Sequence, residues 1–64
     1  MIIRKRSLVS GQVNEMDLQI TQEQLNRWYE GELVQNAFPN LSADEREFLI
    51  SGITPEEWES MFGE

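Results

Sequence analysis

The chain predicts an α+β fold: an N-terminal two-stranded antiparallel hairpin at about 2–9 and 12–19, followed by three to four short helices. Three observations carry this. Apolar and polar residues alternate from Glu15 to Ile20, the period of a half-buried strand. Three later segments, Thr21–Gln24, Ser42–Glu45 and Thr54–Glu57, each place a hydroxyl residue three positions before Glu or Gln. Such spacing makes a capping box, in which the hydroxyl accepts from the N3 amide and the N3 side chain accepts from the N-cap amide. Finally, Gly31, Gly52 and Pro55 stand where helices stop or start.

In the hairpin, Met16, Leu18 and Ile20 form the inward row of the second strand. The first arm, Ile2 to Val9, is less regular, and Ser10-Gly11 supplies a turn. Centring the turn there pairs Leu8 with Val13, Arg6 with Glu15, Arg4 with Asp17 and Ile3 with Leu18. Two opposite-charge pairs then share one face, each contributing about 0.2–1 kcal/mol.

The first helix is expected at about 22–30, with Leu25, Trp28 and Tyr29 at helical spacing. Gly31 suits the C′ position, which favours a break there and a second short helix at about 32–38. A continuous helix through Gly31 would cost about 1 kcal/mol relative to Ala, and Leu33 and Ala37 do extend its stripe. Pro39 ends the segment by pushing Phe38 out of the α region. Helices at about 43–51 and 55–62 follow, the first closed by Gly52 and the second opened by Pro55 at N1. Hydrophobic staples are expected between Ile20 and Leu25 and between Ile53 and Trp58.

Residues 1–64 read as a single small domain. A domain of this size buries only about 60% of the surface its unfolded chain exposes. Neither cysteine nor histidine is present. Disulfides, thiolate metal sites, the commonest general base and the usual switch near neutral pH are therefore ruled out. No Gly-x-Ser-x-Gly elbow or phosphate-cradling glycine loop occurs, and the glycines at 11, 31, 52 and 63 are isolated. The acidic groups Asp44, Glu45, Glu47 and Glu56, Glu57, Glu59 fall on or beside first helical turns, where caps and the helix dipole explain them without a metal. We expect no enzyme, no catalytic residue, no cofactor and no metal.

Charge is unevenly spread. Residues 1–20 hold three cations, Arg4, Lys5 and Arg6, against two acids, a net of +1. Residues 21–64 hold two cations, Arg27 and Arg46, against ten acids, a net of −8. That balance disfavours phosphate backbones, so direct nucleic-acid binding is not expected, while basic partners suit it. No apolar run approaches the roughly 20 residues of a membrane span, and no signal-type segment follows Arg4-Lys5-Arg6. A cytoplasmic location is expected.

Six aromatics and many aliphatics are more than a two-layer domain of this size encloses. Part of the apolar set should stay exposed, and contiguous exposed patches mark contact surfaces. Trp28, Tyr29, Trp58, Met61 and Phe62 are the candidate interface residues, because Trp and Tyr concentrate at binding hot spots. The expected function is a non-enzymatic protein-interaction module that binds a partner, or itself as a homodimer, through this helical face. The alternative is an acidic decoy that occupies the basic groove of a nucleic-acid-binding protein.

The run Ala37-Phe-Pro-Asn-Leu-Ser-Ala-Asp-Glu-Arg-Glu-Phe-Leu-Ile-Ser-Gly-Ile-Thr-Pro-Glu-Glu-Trp58, with the preceding Gly31-Glu-Leu-Val-Gln35, resembles small uncharacterised proteins of tailed-phage and prophage genomes. The likeness extends more weakly over the hairpin. It implies a phage accessory protein acting in the host cytoplasm, and it carries no catalytic residue with it.

Overall fold

The computed structural model describes residues 1–63. Over those residues the fold is α+β, an antiparallel hairpin followed by four helices. The strands are β1 (Ile2–Arg6) and β2 (Val13–Asp17). The helices are α1 (Gln22–Tyr29), α2 (Val34–Ala37), α3 (Ala43–Ser51) and α4 (Pro55–Phe62).

The hairpin departs from expectation in length and register. Its strands are shorter, and the observed partners are Ile2 with Asp17, Ile3 with Met16, Arg4 with Glu15, Lys5 with Asn14 and Arg6 with Val13. The loop explains this. Ser7 N–H donates to the Gln12 carbonyl and Gly11 N–H to the Ser7 carbonyl, which closes a four-residue turn, Leu8 to Gly11. The buried Ser7 hydroxyl accepts from the amides of Val9 and Ser10, so the turn is held from inside. Relative to a two-residue turn at Ser10-Gly11, the pairing slips by two. An even slip keeps every side chain on its expected face but exchanges the charge partners. Arg4 now pairs with Glu15, Arg6 donates to the Gly11 carbonyl, and Asp17 receives the Met1 ammonium at 3.0 Å.

Two capping boxes are complete, at Thr21/Gln24 and Ser42/Glu45. Between α1 and α2 the chain does break. Gly31 has φ +111°, its N–H donates to the Trp28 carbonyl, and the next N–H, of Glu32, reaches back to Arg27. That pair of bonds is a Schellman stop. The second helix is only Val34–Ala37, shorter than expected, because the stop takes up Gly31 and Glu32 at one end and Phe38, before Pro39, leaves the α region at the other (φ −126°, ψ 64°). The last two helices keep their expected bounds.

Leu18 and Ile20 from the chain after β2, Leu25 of α1, Ala37 and Phe38 around the end of α2, Leu41, and Phe48 and Leu49 of α3 form the core. Asn40 ties its rim: its amide donates to the Gln19 carbonyl at 2.6 Å and its oxygen accepts from Gln24. The fourth helix contributes no buried residue. The Cα radius of gyration is 12.0 Å, against about 10.7 Å for a compact chain of this length, and the longest axis is 36 Å against 19 Å for the others.

Candidate interaction surface

The fourth helix starts from a junction rather than from the core. Gly52 closes α3 at φ +77°, Ile53 is buried, and the Thr54 hydroxyl accepts from the Glu57 amide to open α4. The reciprocal half of this third capping box, expected from the sequence, is missing. The Glu57 carboxylate instead reaches the hairpin, accepting from the Ser10 hydroxyl at 2.5 Å and from the Asn14 amide at 2.9 Å. Asn14 also donates to the Gly52 carbonyl at 2.9 Å, and Leu8 N–H donates to the Ser51 carbonyl. One carboxylate and one amide therefore clasp the loop of the hairpin to the α3–α4 turn.

The Glu57 carboxyl is lowered from its ordinary value, chiefly by the Ser10 hydroxyl; desolvation opposes this, and hydrogen bonds from Ser7, the Thr54 backbone and Asn14 lower it further. A depressed carboxyl stabilises the fold fully above its unfolded value and loses that contribution as pH falls through the folded value. Urea midpoints of the wild type and Glu57→Gln should thus differ most near neutrality and converge in acid. A constant gap from about pH 6 to about pH 2 would show that the charge on Glu57 plays no part.

Beyond this clasp, α4 presents an apolar face. Trp58, Met61 and Phe62 stand at i, i+3 and i+4, so they share one side of the helix. They are 38%, 51% and 61% exposed, and the rings of Trp58 and Phe62 lie 4.5 Å apart between centroids. Glu57 borders this face beside Met61, one turn on, and Glu59 borders it beside Phe62. Glu56 and Glu59 point into solvent with no ion-pair partner among the described residues. The other expected staple partners, Ile20 and Leu25, are both in the core, whereas Ile53 is buried and Trp58 is not.

The five candidate residues therefore fall into separate places. Trp58, Met61 and Phe62 come together on α4. Trp28 lies half-buried against the core, edge-on to Phe38 at 5.7 Å. Tyr29, 71% exposed, stacks on the outer side of Trp28 at 5.9 Å. Glu57, Ser10 and Asn14 were not singled out by sequence reasoning as site residues. Their only signal was the acid at Glu57, which a capping role already accounted for.

Among the described residues no pocket opens, no carboxylates gather in a metal-holding group, and no helix is long and apolar enough to cross a membrane. No protein-family model, curated protein or solved structure matches the chain.

Proposed function

We propose that the protein is a non-enzymatic interaction module that engages another protein through the apolar face of α4. The supporting observation is a helix whose whole apolar stripe, Trp58, Met61 and Phe62, is left outside the core it could have joined. Exposed aromatic residues in one patch lose hydration surface when a partner covers them, at about 25 cal/mol per Å². The resemblance of residues 31–58 to small tailed-phage and prophage proteins favours a phage accessory role in the host cytoplasm.

The decoy reading draws on the acids, and the fold already occupies several of them. Glu45 completes a cap, Glu57 clasps the hairpin, Glu15 pairs with Arg4, Asp17 with the terminal ammonium, and Glu32 lies 3.6 Å from Arg27. Fewer carboxylates are left to imitate a phosphate backbone than the net charge suggests, which favours the apolar face.

The test compares the wild type with a Met61→Ser/Phe62→Ser double variant. Both substitutions are at exposed sites, so stability should change by no more than about 1 kcal/mol. Light scattering after gel filtration and affinity capture from bacterial lysate should show an associated species with the wild type that the double variant loses. A wild type that stays monomeric, and whose captured proteins are the same as those of the double variant, would overturn the reading.

A further inference from the structure

The surroundings of the α4 face restrict what can cover it. If each of the three side chains carries the roughly 200 Å² typical of a large apolar residue, their exposed fractions leave on the order of 300 Å² of patch. A stable dimer needs about 800 Å² per partner. Charge tells against a second copy as well. The chain carries −7, and α4 sets Glu57 and Glu59 along the two edges of the patch, with Glu56 on the far side of the helix. Stacking two such helices would bring four carboxylates together around a small apolar contact. A partner whose apolar row is flanked by cations meets the same surface with attraction at both edges.

We propose, building on the interaction reading above, that α4 receives a short cationic amphipathic segment of a partner protein. Its apolar side chains seat on Trp58, Met61 and Phe62, and its Lys or Arg side chains meet the Glu57 and Glu59 carboxylates at the two edges. The apolar contact holds the segment, while the acids select its sign. This separates the site from a charge-only decoy, for which the leucine-like residues of the partner would be immaterial.

The experiment titrates the full chain into three labelled synthetic peptides, read by fluorescence anisotropy. One is a helix with leucines at i, i+3, i+4 and i+7 and lysines elsewhere. The second replaces the lysines with glutamates, and the third is a leucine-free oligolysine. The lysine–leucine peptide should bind at least about tenfold more tightly than either of the others. Met61→Ser/Phe62→Ser should weaken it about tenfold or more; Glu59→Lys should weaken it several-fold and strengthen the glutamate peptide, while Glu56→Lys, on the far side of α4, should change neither, with circular dichroism unchanged in all three. Equal binding of the two leucine peptides, oligolysine binding as tight as lysine–leucine, or no binding at all overturns the cationic segment. If the chain then still self-associates or captures a non-basic protein, and Met61→Ser/Phe62→Ser abolishes it, the α4 interaction face stands without the cationic partner. If nothing binds and the chain is a bare monomer, both fall.

Discussion

Phe38→Ala should remove most of the stability of this protein. The side chain is fully buried, it closes α2, and it meets the edge of Trp28 at 5.7 Å. Truncating a buried phenylalanine costs about 3–5 kcal/mol in lost transfer energy and residual cavity. At about 0.05–0.15 kcal/mol per residue, the whole fold has only about 3–10 kcal/mol to lose. Refilling is difficult, because the other fully buried side chains of the core, Leu18 after β2 and Phe48 and Leu49 on α3, are fixed by the hairpin and by α3. Urea unfolding followed by far-ultraviolet circular dichroism should place the variant close to its midpoint without denaturant. Phe62→Ala, the same truncation on the exposed face of α4, should shift the midpoint by less than about 1 kcal/mol. Comparable losses at the two sites would mean that α4 is packed into the core, and the interaction face would go with it.

That contrast marks where the sequence stops being informative. Caps and breakers are local chemistry, so the bounds of α3 and α4 and the stop at Gly31 could be read from residue types alone. The hairpin faces were legible for the same reason, since a period of two survives an even slip. The register was not, because it depends on a buried hydroxyl at Ser7 and on Ser10 being drawn toward Glu57, 47 positions away. Glu57 shows the limit most plainly. As an N3 acid it has the pattern of a capping box, yet Ser10 and Asn14 compete for its carboxylate and hold it. The aromatic residues were ambiguous in the same way. Phe38, Phe48, Trp58 and Phe62 all sit at helical spacing, and only tertiary packing divides the two buried rings from the two exposed ones.

Gly52→Ala should be nearly as damaging as the loss of Phe38, although it adds a single methyl group. Gly52 has φ +77°, where an L-residue costs about 1–2 kcal/mol. A Cβ there would also fall 2.5 Å from the Arg6 carbonyl oxygen and 2.8 Å from its carbon. These are backbone atoms at the end of β1, so no rotamer change relieves the clash, and overpacking adds about 1–3 kcal/mol. The sum, about 2–5 kcal/mol, is directed at the junction where α3, the hairpin and α4 meet. Gly31→Ala separates the two causes. Gly31 also has a positive φ, +111°, but nothing lies within 4 Å of its would-be Cβ. It should lose only the conformational part, about 1–2 kcal/mol. Amide exchange should then show where each substitution acts. Gly52→Ala should expose the Leu8 amide, which donates to Ser51 across this junction, and release α4 from the hairpin. Gly31→Ala should leave that amide protected. Equal destabilisation by the two alanines would mean that β1 moves aside freely, and that the close approach of Arg6 to Gly52 does not hold the hairpin to the helices.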